Sequence, residues 1–255
     1  MINAVDLLSC TPAQRKIRIT SQAGILATDS EIEVSRKLSG VINTFIDDYF
    51  VLLIQNDQSN ANGSVLDTTN IGQKIDDEIA SFRPLAIAEL NKANPTRAEL
   101  IRNAKNLYEL AGASKLAGAN KATRNLSTTM GLLWERVANI SPYAVNPEIE
   151  FNLKIKGVDL ISKNKQSNIV EYQQLKTKHD TLTGSQKGRS VSELEIHENP
   201  VFCACFSLGG WTFNDPNIPR ISGPEFWNRI GIDYPKFEDK VKSLIVDLEN
   251  VFIAL

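Results

Sequence analysis

Residues 157–177, GVDLISKNKQSNIVEYQQLKT, constrain the fold more than any other stretch. Two β-rich runs, 158–162 and 169–177, flank a polar turn at 163–168, the pattern of a β-hairpin. Its polar residues are unusual for a strand pair bound for a core. Asp159 interrupts the first apolar run, where an unpaired charge is costly. Side chains two apart on a strand share a face, so Val170, Tyr172, Gln174 and Lys176 line one side of the second strand. An acid, an amide oxygen and an ammonium group therefore converge on one hairpin. Hard oxygen donors beside a cation suit a divalent metal and phosphodiester chemistry.

The rest of the chain bounds what such a hairpin can belong to. At 255 residues with 42% hydrophobic content, the chain has enough apolar material for a sizeable core and does not read as disordered. No apolar run is long enough to span a bilayer, and the first residues lack a basic-then-apolar leader pattern. Cys10, Cys203 and Cys205 are an odd number, and the last two alternate along one apolar run. Buried thiols in a reducing compartment fit better than a disulfide or zinc framework. The expectation is a soluble cytoplasmic protein with no membrane partner. Formal net charge is −2, but residues 101–190 hold fourteen Lys and Arg against seven Asp and Glu. A polyanion could bind there while the acidic ends keep the protein soluble.

Along the chain, apolar residues at helical spacing over 29–54 predict a helix capped at Asp29 or Ser30. A polar loop at 55–69 follows, then a helix over 71–92 disturbed at Pro84. Thr96–Glu99 has the form of a capping box ahead of a helix reaching about residue 110. The small, basic stretch 111–124, AGASKLAGANKATR, reads as a linker, or as a loop whose Lys115, Lys121 and Arg124 follow a phosphate backbone closely. A helix at 125–140 carries Glu135 off its apolar stripe, and 149–155 alternates like a strand. After the hairpin come a polar segment turning helical, an apolar strand at 201–208, and an amphipathic helix near the C-terminus. The expected domains are a mainly helical region, 1–123, for DNA binding or dimerisation, and a core, 124–255. The expected fold class is α/β (α+β), a central mixed β-sheet flanked by helices with a helical N-terminal part.

The order helix, strand, strand, strand, helix, strand over 125–208 resembles the core of the PD-(D/E)XK nuclease superfamily. Asp159 matches the family's aspartate, Gln174-Leu175-Lys176 matches its (D/E)-x-K motif, and Glu135 matches the glutamate that many members carry on the preceding helix. Size, helical embellishment and the TLTGSQKGR segment make the chain similar to a type II restriction endonuclease. Val158 stands where the family has proline, and Gln174 stands where it has an acid. The resemblance implies catalytic Asp159, Gln174, Lys176 and Glu135, with Mg²⁺ held by Asp159, Gln174 Oε1, the Leu175 carbonyl and Glu135. It implies that Lys176 orients the nucleophile or stabilises negative charge. Glutamine adds no charge, so the site leans on Glu135; failing that, Glu148 and Glu150 are the nearest carboxylates in sequence.

The partner implied is double-stranded DNA, cleaved at a short sequence, and a homodimer is compatible with it. Lys178, Thr181, Thr183, Ser185, Gln186 and Arg189 follow the catalytic strand as candidate DNA contacts, since Gln suits adenine and Arg suits guanine. The other readings are a repair or recombination nuclease of the same fold, and a non-catalytic DNA-binding protein. His179 and His197 have no zinc or triad spacing, Glu171 faces away from Lys176, and phosphate-binding glycine signatures are absent.

Overall fold

A computed structural model of the chain describes residues 2–60, 68–92 and 96–254. Four helices come first: α1 (Ala4–Leu8), α2 (Pro12–Gln22), α3 (Glu31–Asn43) and α4 (Ile46–Asn60). There follow α5 (Thr68–Lys92), α6 (Arg97–Arg102), α7 (Leu107–Leu110) and α8 (Ser114–Ala138). The second half runs β1 (Ala144–Val145), α9 (Pro147–Phe151), β2 (Leu160–Lys163), β3 (Val170–Lys176), α10 (Gly184–Leu194), β4 (Pro200–Ala204), β5 (Arg220–Ser222), α11 (Pro224–Arg229) and α12 (Tyr234–Ala254). The fold is mixed α/β. No single helix among the described residues is long and apolar enough to cross a membrane.

Two compact units divide the chain. The first comprises residues 1–72 and 135–234, the second 73–134 and 235–255. The sequence boundary at 123/124 falls instead inside α8. The supposed linker at 111–124 is largely helix, because its alanines are strong helix formers and outweigh its two glycines. Other differences have equally local causes. The expected strand at 149–155 begins as α9, since Asn146 Oδ1 accepts from the amides of Glu148 (2.8 Å) and Ile149 (3.2 Å) and Pro147 occupies the first helical position. The helix at 29–54 is two helices, broken where Thr44 caps α3. Helix α4 runs on through Asn60, and 61–67 of the expected loop lie outside the described residues. The Thr96 capping box starts α6 as expected, but the helix ends at Arg102. The strand at 201–208 stops at Ala204, and β5 and α11 were not anticipated.

The sheet belongs to the first unit and has the order β1-β2-β3-β4-β5. Pairs β1–β2 and β2–β3 are antiparallel, and β3–β4 and β4–β5 are parallel. Leu160 pairs with Gln173 and Ser162 with Glu171, which sets the two faces of the hairpin. Asp159, Ile161, Tyr172, Gln174 and Lys176 share one face; Leu160, Ser162, Glu171, Gln173 and Leu175 share the other. Over the first face lies a core that includes Leu38, Ile42, Phe45, Tyr49, Phe151, Ile161 and Tyr172, so the long N-terminal helices pack on β2 and β3. A smaller cluster, Leu194, Phe202, Phe213 and Ile218, seats α10 beside them.

Candidate functional site

The hairpin delivers Asp159 to the edge of the sheet through a tight approach. Gly157 has φ +74°, and a Cβ there would lie 2.8 Å from the backbone of Glu193, so only glycine fits. Two residues on, the Asp159 amide donates to the Gln173 carbonyl at 2.9 Å, continuing the β2–β3 ladder. Its Oδ2 accepts from the Leu175 amide at 2.7 Å. The N–H and C=O of one strand residue leave on the same edge, so the Leu175 carbonyl also points past the start of β2. Asp159 and the Gln174-Leu175-Lys176 run thus meet where β2 begins and β3 ends.

Two further carboxylates, Glu135 and Glu148, lie within electrostatic reach of Asp159. Glu135, near the end of α8, accepts from Asn146 Nδ2 at 3.1 Å. The same Asn146 caps α9, at whose first turn Glu148 sits. Burial, then the charges of Asp159 and Glu148, push the Glu135 carboxyl up to about 7, against the opposing pull of Lys176. Burial also raises Asp159, against Lys176 and the Leu175 amide, with Glu148 and Glu193 adding to the rise. Glu135, Glu148, Asp159 and Lys176 therefore act on one another electrostatically. Glu150, the other candidate, is committed elsewhere: its Oε1 accepts from Arg15 at 2.5 Å and from the Tyr49 hydroxyl. The sequence nominated Glu148 only as a fallback, and Asn146 not at all. The Asn-Pro-Glu run, a cap followed by a first-turn proline, was the available signal.

Gln174 is 7% exposed and its Oε1 has no hydrogen-bond partner. It lines a pocket of about 300 Å³ together with Lys176, Thr181, Gln186, Arg189 and Glu193. Buried acceptors without partners are rare and costly. Ser162 Oγ and Gln173 Oε1 are also unpartnered, but they are sealed at 0% exposure on the opposite face. Only Gln174 of the three lines this pocket. An oxygen of this kind beside Asp159 and the Leu175 carbonyl fits a hard cation such as Mg²⁺. No three His, Cys, Asp or Glu side chains among the described residues converge closely enough to hold a metal alone. Neutral oxygens would have to complete the shell.

The candidate DNA contacts fall into two groups. Thr181, Gln186 and Arg189 line the Gln174 pocket, whereas Lys178 is exposed and paired with Asp180 at 3.0 Å. Part of their hydrogen-bonding capacity is already used. Gln186 Oε1 accepts from the Thr183 amide at 2.9 Å, capping α10, and Arg189 Nε donates to Glu193 at 2.8 Å. Ser185 is exposed in the first turn of α10. Lys121 and Arg124 line a separate cavity in the second unit, on a helix and not a loop, and Lys115 is not among its lining.

The remaining polar groups of the hairpin are architectural. Glu171 is 5% exposed and accepts from Asn164 Nδ2 (3.0 Å), Gln173 Nε2 (3.0 Å) and the Arg229 guanidinium (2.7 Å). His197 stacks on Tyr172 with ring centroids 5.2 Å apart and holds Ser39 Oγ and the Lys156 carbonyl; burial lowers its pKa. His179 stacks on Trp211 at 4.0 Å. Cys203 and Cys205 are buried free thiols, both pushed up by burial. No family model, curated protein or solved structure matches the chain.

Proposed function

We propose that the chain is a Mg²⁺-dependent endonuclease of restriction-endonuclease-like fold, a cytoplasmic type II enzyme that cuts double-stranded DNA at a short sequence. The observation that carries this reading is the single strand face on which Asp159, the orphaned Gln174 Oε1 and Lys176 meet, with Glu135 and Glu148 in electrostatic reach. Asp159, Gln174 Oε1 and the Leu175 carbonyl would hold the cation, with Glu135 and Glu148 supplying the negative charge that Gln174 lacks. Once bound, Mg²⁺ supplies charge neutralisation at the phosphate and a lowered pKa for the attacking water.

The protein side of the chemistry rests on three placements. Lys176 lines the pocket and is in electrostatic reach of Glu135 and Asp159, so its ammonium can orient a water or compensate charge growing on the phosphate. Glu135, raised to about 7 without metal, would ionise once a cation neutralises the neighbouring carboxylates, and can then take a proton from a water held on its side of the site. Thr181, Ser185, Gln186 and Arg189 present donors along the pocket and the start of α10, where base edges or phosphates can be read.

Plasmid DNA incubated with the protein should give discrete fragments with Mg²⁺ and none with EDTA. End sequencing of those fragments reports the recognition sequence and cut position together. A smear or a single-strand preference favours a repair or recombination nuclease. Salt-sensitive DNA binding with no cleavage under any divalent metal overturns the enzymatic reading.

A further inference from the structure

We infer that the second unit carries a phosphoryl-binding pocket of its own, built by Lys105, Lys121 and Arg124. A cavity of about 560 Å³ opens between the α6–α7 segment and α8, lined by these three cations. Helical spacing places Ala117, Lys121 and Arg124 on one face of α8, each three or four residues from the next. Ala117 is buried at 5% exposure, and its single methyl leaves the floor open to a ligand. Lys105 enters from the segment between α6 and α7.

Two carboxylates share the lining, and both already serve as local caps. Glu99 Oε2 accepts from the Thr96 amide at 2.9 Å and its hydroxyl at 2.7 Å. Those bonds hold its carboxyl below the usual range, with Arg102 and Lys121 contributing less. Glu109 Oε2 accepts from the Lys105 amide at 2.7 Å. None of the three cations forms an ion pair with a carboxylate of the described residues. The Asn103 and Asn125 side chains add neutral donors, although Asn125 Nδ2 also reaches Glu89 at 3.2 Å. The lining carries three cations and two carboxylates, a net charge of +1, and the carboxylate oxygens are already held by the Thr96 and Lys105 amides. The three cations and the two asparagine amides are the donors left for a ligand, and several donors on one concavity suit a group with several acceptor oxygens. Phosphate chemistry uses all of these donors at once. It has two sources, the backbone of a nucleic acid or the phosphates of a free nucleotide.

The test uses the full chain in EDTA, so binding is read without cleavage. A fluorescently labelled duplex is titrated over a salt series, and ATP is titrated separately. Lys121→Ala with Arg124→Ala should weaken the phosphate-bearing ligand about 10-fold or more. If that ligand is the duplex, the log–log salt slope should also become shallower by about 0.9 for each phosphate that is no longer neutralised. Lys105→Gln should act in the same direction, and Lys16→Ala, on an exposed lysine of α2 in the first unit, should leave both arms unchanged. Loss in the duplex arm identifies a backbone site, and loss in the ATP arm alone identifies a nucleotide site. Exposed side chains are altered throughout, so melting temperatures should stay within a few degrees. If the folded Lys121/Arg124 double variant and Lys105→Gln bind duplex and ATP as the parent does, the pocket assignment is wrong.

Discussion

The two faces of the β2–β3 hairpin carry acids of opposite kinds. On one, Glu171 is surrounded by three side-chain donors, one of them the guanidinium of Arg229. On the other, Asp159 has one backbone donor at 2.7 Å, its pKa is raised, and it lies in the field of Glu135, Glu148 and Glu193. A carboxylate with both oxygens hydrogen-bonded and a guanidinium beside it is part of the scaffold. One that is crowded by like charge and under-bonded has capacity left for a cation or a proton. The contrast separates the bonded face of one hairpin from the under-bonded one, and the variants below are chosen to break it.

The largest effect should come from Lys176→Ala and Asp159→Asn. Each should lower plasmid cleavage by about 10³-fold, the loss of one positioned charged group at a reacting phosphate. Asparagine retains an oxygen for the Leu175 amide, so Asp159→Asn tests charge without orphaning that donor, which Asp159→Ala would do. Melting temperatures should stay near the parent's. A cleaving Lys176→Ala protein removes the catalytic assignment of this face.

Glu171→Ala should do the reverse. It strands Arg229 and Asn164 in the interior and should cost about 3–5 kcal/mol in urea unfolding, as loss of one partner of a buried pair does. Arg229→Ala should cost a similar amount, though Glu225 also holds Arg229 at 2.8 Å. The double variant should lose less than the sum, because the two residues share one interaction. Cleavage by whatever fraction remains folded should be unchanged. A stable Glu171→Ala protein with no activity would transfer the chemistry to the other face.

How much of this contrast the sequence carried depends on the range of the interaction. Period-two alternation placed Gln174 and Lys176 together and Glu171 away from them, because strand geometry is local. The capping box at Thr96 was equally legible, and so was a cap at Asp29 or Ser30, of which the structure selects Ser30. The partners of the acids were not. Arg229 lies 58 residues from Glu171, and Arg15 lies 135 from Glu150, on pairs that only the packed units bring together. That separation is why Glu150 could stand beside Glu148 as a candidate until Tyr49 and Arg15 were seen to hold it. Where local signals competed, the cap won: Asn146-Pro147 starts a helix in a stretch that alternates like a strand. Lys105, exposed between two short helices, carried no pattern at all.

Glu135 gives a smaller and pH-dependent effect. Unfolded, it titrates near 4.5; folded, it titrates at about 7. Between those values the folded state binds the extra proton, so Glu135 makes stability fall as pH rises from about 4.5 to 7 and then level off. Its remaining solvent contact reduces the full linkage figure to about 1–2 kcal/mol. Glu135→Gln should remove that part of the slope and be the more stable protein at pH 8 without metal. Denaturant titrations at pH 5 and pH 8 measure the difference. Equal slopes in parent and variant mean that Glu135 is an ordinary surface acid.

Gln174→Glu yields the smallest shift and sharpens the comparison most, since it gives the Asp159 face the charge that the proposed cation site lacks. In the absence of metal the new carboxylate would join Asp159, Glu135 and Glu148 in a partly buried space, and repulsion should raise the Glu135 pKa further and cost about 1 kcal/mol. Mg²⁺ relieves the same repulsion, so its affinity should rise about 10-fold, near 1.4 kcal/mol. The gain should be larger at pH 8 than at pH 6, because protons compete for the carboxylates at the lower pH. Glu148→Gln should weaken Mg²⁺ a few-fold in the opposite direction. Faster cleavage need not follow, as a more anionic ligand shell makes the ion a poorer Lewis acid. Calorimetric Mg²⁺ titrations at both pH values decide the matter. If Gln174→Glu folds and binds Mg²⁺ no more tightly at pH 8 than the parent, then Gln174 Oε1 does not face the cation.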